Sequence, residues 1–167
     1  MPVHSTQTAR PIAYAVGDAT APKSDGPKII VHVCNDIGAW GRGFVVALSR
    51  RWLEPEKLYR AWHRGKTGQP FALGQVQLVN VAPDTWVANL IGQRDIRASG
   101  GLAPICYDAV REGLRRVSAE ARKLGASIHM PRIGCGLAGG RWEEVGLIVE
   151  QELSAHGISV TVYDLPG

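Results

Sequence analysis

Apolar residues recur every three or four positions in two segments, 104–124 and 142–153, which is the spacing of one buried helix face. Both segments are therefore predicted to be helical. The apolar stripe of the first consists of Val110, Leu114, Val117, Ala121 and Leu124. Two further helices are predicted, one over 43–52 and one that begins at Pro55, because proline is favoured in the first turn of a helix.

Short runs of apolar and β-branched residues predict strands over 11–18, 28–35, 127–133 and 158–165. The segment 74–92 divides at Pro83-Asp84 into two more strands, which predicts a hairpin. The predicted order is β-β-α-α-β-β-α-β-α-β. Strands that alternate with helices in this way predict an α/β fold, with a mixed central sheet covered by helices on both faces in three α/β/α layers.

The composition indicates one domain over 1–167, with a core of about 12–165. The chain has 167 residues, of which 45% are hydrophobic, and contains no apolar run of the length that a membrane span needs. Its three cysteines form no CxxC pair and its first residues lack the pattern of a secretory signal, so we expect a cytoplasmic protein. A formal net charge of +4 favours an anionic ligand.

Two glycine-rich segments each follow a predicted strand and precede a predicted helix. We call 35–43 the first glycine loop and 134–140 the second glycine loop. Glycine allows backbone N–H groups to approach a ligand closely, and a helix start adds unpaired donors and the positive end of the helix dipole. Because ligands of such sheets bind where strands lead into helices, the two loops are expected to close on opposite sides of a diphosphate.

Two other interpretations of the second glycine loop compete with this one. Gly134, Gly136 and Gly139 spell a dinucleotide-binding G-x-G-x-x-G, but only 28 residues follow Gly139, too few for the rest of such a domain. Cys135 and Arg141 have the spacing of a cysteine-phosphatase loop, in which the thiolate attacks phosphorus. The phosphatase remains an alternative.

Four stretches taken together, VGDAT, HVCNDIGAWGRGF, MPRIGCGLAGGRWEEV and ISVTVYDL, resemble the macrodomain family from about Tyr14 to Leu165. The resemblance is to the branch that contains the terminal ADP-ribose glycohydrolase and the yeast-type ADP-ribose-1″-phosphate processing proteins. It implies a cleft for ADP-ribose above a mixed sheet. The implied partner is ADP-ribose or an ADP-ribosylated protein or nucleic acid, and we expect a monomer without a metal, a cofactor or a membrane contact.

The resemblance also implies roles for individual residues. Asp18, beside Ala19, matches the acidic residue that accepts a hydrogen bond from the adenine amino group, and Tyr163 and Leu165 match the wall of the adenosine site. The diphosphate would be wrapped by Gly134, Cys135, Gly136, Leu137 and Ala138. The ligand would also contact Asn35, Gly41, Gly43 and Arg132, while Trp40 either covers the cleft or packs in the core.

Two positions depart from the pattern of the terminal glycohydrolase. Gln93 stands where that enzyme has the lysine that forms a covalent adduct with ribose, and Ala138 stands where it has an aspartate. The lysine–aspartate mechanism is therefore not expected here. A hydrolase that uses another route would draw on Gln93 or Asn35 to orient a water and on Asp36 as a base. The alternatives are a reader that binds ADP-ribose without chemistry, and the phosphatase.

Overall fold

The computed structural model describes residues 9–97 and 100–166, and within them the helices and strands follow the predicted order. The strands are Ala13–Val16 (β1), Lys28–Asn35 (β2), Val76–Ala82 (β3), Thr85–Gln93 (β4), Ser127–Met130 (β5) and Val160–Asp164 (β6). The helices are Phe44–Arg51 (α1), Glu54–His63 (α2), Tyr107–Leu124 (α3) and Trp142–Glu152 (α4). A short 3-10 turn, Ser154–His156, follows α4.

The strands form one mixed sheet in the order β1-β6-β5-β2-β4-β3. β3 and β4 pair antiparallel as the predicted hairpin, and every other pair in the sheet is parallel. The carboxyl ends of β1, β2, β4, β5 and β6 therefore lie at one edge, and the loops that follow them meet there. Both glycine loops leave the sheet at this edge.

Helices cover both faces of the sheet, which confirms the predicted α/β/α layers. On one face α3 and α4 bury the predicted stripe, in which Val110, Leu114 and Val117 have no exposed surface. On the other face α1 and α2 cover a second core that contains Leu48, Tyr59 and Trp62. Each fully buried side chain of this size contributes about 1.5–3 kcal/mol, so the two cores fix the positions of the loops above them.

Two predicted strands are shorter than their apolar runs. The run 127–133 ends as a strand at Met130, because Pro131 has no N–H to continue the ladder. The run 11–18 is a strand only from Ala13 to Val16, since the carboxylate of Asp18 turns the chain by accepting a hydrogen bond from the amide of Thr20. No helix in 9–97 or 100–166 has the length and apolar character that crossing a membrane requires.

Candidate functional site

Two adjoining cavities lie between the glycine loops at the carboxyl edge of the sheet. The outer cavity, about 450 Å³, borders the first glycine loop and Ile96. The inner cavity, about 240 Å³, lies between the start of α1 and the second glycine loop. They form one cleft, because the same residues line both: Val33, Arg42, Val45, Gln93 and Leu137.

The second glycine loop is held in shape by its own backbone. The amide of Cys135 donates to the carbonyl of Arg132 (3.2 Å), that of Gly139 to Gly136 (3.0 Å) and that of Gly140 to Gly134 (2.7 Å). A Cβ at position 140 would collide with the carbonyl oxygen of Gly134, so this closure requires glycine. The amides of 136–138, between these bonds, donate to no described residue and are available to a ligand.

The first glycine loop is held by side chains instead. The amide oxygen of Asn35 accepts from the backbone N–H groups of Ile37 (3.1 Å) and Ala39 (3.0 Å), and its amide nitrogen donates to the carbonyl of Ala39 (2.7 Å). The hydroxyl of the buried Tyr59 donates to the same side-chain oxygen (2.8 Å) and to the carbonyl of Asn35 (2.6 Å). Asn35 therefore shapes the loop through its side-chain oxygen and one N–H of its amide group, while the second N–H has no described partner.

Arg60 of α2 also holds the first glycine loop through hydrogen bonds to its backbone. Its guanidinium donates to the carbonyls of Gly38 (3.2 Å) and Trp40 (3.3 Å) and pairs with Glu56 (2.9 Å). Trp40 is 8% exposed, donates its indole N–H to Ser49 and lines the outer cavity. Trp40 therefore packs in the core and also forms part of the cleft wall.

The two loops approach each other across the cleft. A Cβ at Gly43 would lie 4.0 Å from the Cδ1 of Leu137, which is itself 66% exposed. The amides of 41–43 donate to no described residue, and the first turn of α1 contains no acidic side chain. By contrast, the first turn of α4 carries Glu143 and Glu144, which disfavour an anion there. The start of α1, rather than that of α4, is suited to a phosphate.

Asp18 and Ala19 lie past the end of β1, beside β6, and outside the lining of the two cavities. The Asp18 carboxylate accepts from the amide (2.8 Å) and hydroxyl (2.7 Å) of Thr20 and lies 3.8 Å from the guanidinium of Arg51. Burial acts to raise the pKa of Asp18, but the bonds from Thr20 and the charge of Arg51 outweigh it and lower the pKa. The carboxylate is 46% exposed, so it remains able to accept a ligand N–H.

Arg132 joins the inner cavity to the ends of β1 and β6. It lines that cavity and makes two hydrogen bonds to Asp164 (2.8 and 3.0 Å). Its guanidinium also lies 5.4 Å from the ring centre of Tyr14 and 5.3 Å from that of Trp142, and the Trp142 indole donates to the Tyr14 hydroxyl. Arg132 thus brings this stack of aromatic rings to the side of the inner cavity.

Tyr163 and Leu165, the other predicted adenosine contacts, differ in their surroundings. The Tyr163 hydroxyl lies 2.7 Å from Nδ1 of His129, which ties the end of β6 to β5. Leu165 is 78% exposed, directly after β6. Neither residue lines the two cavities, so their contact with a ligand stays a prediction.

Gln93 and Asp36, two of the predicted catalytic residues, are placed differently. Gln93 lines both cavities; its amide nitrogen donates to the carbonyl of Asp95 (2.8 Å), while its amide oxygen has no described partner. Asp36 lines neither cavity, and one of its carboxylate oxygens accepts from the amide of Asp95 (2.7 Å). Gln93 therefore belongs to the cleft lining and has an amide oxygen without a described partner, whereas Asp36 joins two loops.

The geometry around Cys135 contradicts the phosphatase interpretation. Burial raises the pKa of the Cys135 thiol, more than the nearby Arg132 lowers it, so the nucleophilic thiolate is disfavoured. Arg141, with a side chain 69% exposed, lies 3.8 Å from Glu143. Neither Cys135 nor Arg141 lines either cavity, and the amide of Cys135 is bonded within the loop.

Two histidines are buried in the sheet near the glycine loops. Burial lowers the pKa of His32 to about 4, against the opposing effect of a hydrogen bond with Asn89. Burial and the charge of Lys28 lower the pKa of His129 to about 4 as well. Both are therefore neutral at physiological pH. Among the described residues no cluster of three or more His, Cys, Asp and Glu side chains is arranged for a metal.

A larger cavity, about 580 Å³, lies at the opposite edge of the sheet, near the amino ends of β5 and β6. Its lining includes Arg10, Arg122 and His156. It also includes Gly125, which ends α3, and the carbonyl end of a helix repels anions. This cavity is therefore less suited to an anion than the cleft between the glycine loops.

Sequence reasoning found ten of the 21 residues that line the cleft, and three of the residues that it missed matter most. The predicted residues that line it are Gln93, Asn35, Trp40, Gly41, Gly43, Arg132, Gly134, Gly136, Leu137 and Ala138. Those three missed residues are Arg42, which lines both cavities, and Tyr59 and Arg60, which hold the first glycine loop. The position of Arg42 between Gly41 and Gly43 was a usable signal, whereas nothing in the sequence pairs α2 with the loop.

Two solved structures are similar to this chain over nearly its whole length. A protein of unknown function from Bacteroides thetaiotaomicron is 53% identical, with a TM-score of 0.91, and the match covers 95% of this chain and all of that one. A macrodomain protein from Streptomyces coelicolor is 51% identical, with a TM-score of 0.83, and the match covers 92% of this chain and 99% of that one. No family model matches the chain.

Curated relatives are more distant. Chromodomain-helicase-DNA-binding protein 1-like from Mus musculus is 32% identical over 93% of this chain, which spans only 18% of that protein's length. ADP-ribose glycohydrolase OARD1 from Bos taurus is 29% identical, over 92% of this chain and 91% of that one. The ADP-ribose 1″-phosphate phosphatase of Meyerozyma guilliermondii is 24% identical over 90% of this chain and 96% of that one. The last two names match the branch that the sequence resembles.

Proposed function

The chain belongs to the macrodomain family, and on that premise we propose that it binds ADP-ribose in the cleft between its glycine loops and hydrolyses the bond that joins ADP-ribose to a modified macromolecule or a smaller group. The carrying observation is that the backbone amides of 136–138, and those of 41–43 on the opposite side, donate to no described residue. Such amides are suited to phosphate oxygens. A diphosphate between the loops would leave the distal ribose in the outer cavity, beside Gln93.

Gln93 is the residue we propose for the hydrolytic step. Hydrolysis adds a water across the bond at the ribose C1″: its oxygen joins the carbon, and a proton goes to the departing group. The free amide oxygen of Gln93 is suited to accept a hydrogen bond from that water and to orient it, a role that glutamine also has in GTPases. The oxocarbenium-like state of glycosidic cleavage needs only a weak nucleophile, so an oriented water suffices.

A reader of ADP-ribose without catalytic activity is the second candidate. The observation that favours it is the lining of the two cavities, which contains no lysine and no carboxylate among the described residues. The side chain of Asn35 is an amide, which is not a base, and Asp36 lies outside the lining, so neither residue adds a base. The choice between the two candidates therefore depends on Gln93 alone.

Release of free ADP-ribose from ADP-ribosylated protein and ADP-ribosylated DNA distinguishes the candidates. We expect release by the wild type and loss of release in Gln93→Ala, with ADP-ribose affinity retained within a few-fold in calorimetry. Asp36→Asn is the matched control, because it keeps the contact with Asp95 and lies outside the cleft lining. Tight binding without release from either substrate would establish a reader, and no binding would refute the ADP-ribose assignment.

A further inference from the structure

Arg42 occupies the junction of the two cavities. It lies between Gly41 and Gly43, just before α1, is exposed and lines both the inner and the outer cavity. A long side chain at this position, flanked by glycines, can extend to either side of the junction.

The charge of Arg42 is uncompensated among the described residues. Arg60, which also lines the outer cavity, pairs with Glu56 (2.9 Å), and Arg132, which lines the inner cavity, pairs with Asp164 (2.8 Å). Arg42 makes no ion pair with a described residue, and no described carboxylate lines either cavity. Among the described residues that line the cleft, Arg42 is thus the arginine without an ion-pair partner.

We propose that Arg42 clamps the diphosphate from the side opposite to the second glycine loop and makes the site selective for an anionic ligand. This inference rests on the proposed function. The amides of 136–138 are neutral donors and leave the two negative charges of a diphosphate uncompensated. A guanidinium supplies that charge together with a planar pair of donors matched to two phosphate oxygens, which a lysine does not.

The test compares ADP-ribose affinity in the wild type, Arg42→Gln, Arg42→Lys and Arg122→Gln at low and high salt. Arg122→Gln removes the same charge from an exposed residue of α3, which lines the cavity at the opposite edge of the sheet. We expect Arg42→Gln to weaken binding about 10- to 100-fold, Arg42→Lys to lie between, and Arg122→Gln to stay within about twofold. The salt dependence of affinity should decrease in Arg42→Gln only, because its charge contact is lost.

Each outcome decides the inference. Equal affinities of Arg42→Gln and Arg122→Gln, or a weaker Arg42→Gln with the salt dependence of the wild type, would overturn the role of Arg42 and leave the proposed function standing. Failure of the wild type to bind ADP-ribose would overturn both. A thermal unfolding scan of each variant identifies a loss that comes from the fold.

Discussion

The two glycine loops face the same cleft but are held by different means. Side chains from outside the loop hold the first: Tyr59 and Arg60 reach it from α2 and bond to Asn35, Gly38 and Trp40. The second is closed by backbone hydrogen bonds that the amides of Cys135, Gly139 and Gly140 donate, and at position 140 only glycine fits. The two loops at this edge of the sheet are therefore built in two ways: the first depends on side chains, and the second depends on the absence of a side chain at Gly140.

Substitutions that affect the two glycine loops should differ in the size of their effects. A Cβ in the second glycine loop displaces backbone atoms directly, and the loop has few ways to relax. Loss of the Tyr59 hydroxyl leaves the hydrogen bonds of the Asn35 and Arg60 side chains to the first glycine loop in place, so the loop is expected to keep most of its shape. Substitutions in the second glycine loop are therefore expected to have the larger effects.

Gly140→Ala should have the largest effect. The new methyl group would collide with the carbonyl oxygen of Gly134 and with the side chain of Ile105, which forces the loop open. We expect a loss of about 3 kcal/mol in the free energy of unfolding and a decrease of more than about 100-fold in ADP-ribose affinity. Gly136→Ala is the control for stability, because its methyl group would meet nothing within 4 Å. Equal stability of the two variants in denaturant titrations would contradict the proposed closure.

Asp18→Ala tests a part of the site that belongs to neither loop. The alanine variant lacks the exposed carboxylate that is predicted to accept a charged hydrogen bond from the adenine amino group. We therefore expect it to bind ADP-ribose about 1–3 kcal/mol more weakly. Asp18→Asn keeps an acceptor for Thr20 and separates the loss of charge from the loss of the local turn. Calorimetry that shows unchanged affinity in Asp18→Ala would refute the role of Asp18.

A pH titration of stability compares the strands that lead into the two loops. His32 lies on β2 and His129 on β5, and both have a pKa of about 4, below the 6.5 of an unperturbed histidine. Between those values the unfolded chain binds protons that the folded chain does not. The contribution of these two histidines to the free energy of unfolding is therefore fully present above about pH 6.5 and is lost as the pH falls towards 4.

The two histidines together should lower the free energy of unfolding by about 2 kcal/mol between pH 6 and pH 5. His129→Gln should remove about half of this slope, whereas His156→Gln, at an exposed position, should leave it unchanged. Urea titrations at the two pH values provide the measurement. Equal stability of the wild type at both would show that the histidines are not buried as described.

Tyr59→Phe should have the smallest effect. It removes the hydroxyl that donates to the backbone and side chain of Asn35 but keeps the buried ring. We expect a loss of about 1 kcal/mol in stability and a decrease of a few-fold in ADP-ribose affinity. An affinity loss as large as that of Gly140→Ala would show that the remaining hydrogen bonds of the first glycine loop do not maintain its shape.

The fold followed from local patterns, and the site did so only in part. The period of the stripe on α3 and the turn at Pro83-Asp84 are set by neighbours in sequence, so they were predictable. The glycines also marked both loops. The sequence of the second glycine loop did not reveal which of its amides donate to other backbone groups, because those bonds depend on the backbone conformation of the loop.

Contacts between distant parts of the chain were not predictable. Tyr59 reaches Asn35 across 24 residues, and Trp142 reaches Tyr14 across 128. Such contacts form only when the order of the strands in the sheet is fixed, and they produce no periodic pattern in the sequence. For the same reason, the bonds by which Asn35 shapes its own loop were not predictable, and its expected catalytic role stays a prediction.

The central claim is that free amides of the second glycine loop bind a diphosphate, and an NMR titration with ADP-ribose tests it most directly. The loop contains its own control: the amides of 136–138 donate to no described residue, while those of Cys135, Gly139 and Gly140 donate to backbone carbonyls. Amide protons that donate to phosphate move downfield. We predict large downfield shifts for 136–138 and smaller ones for the three bonded amides. Saturable binding with 136–138 unmoved would contradict the claim.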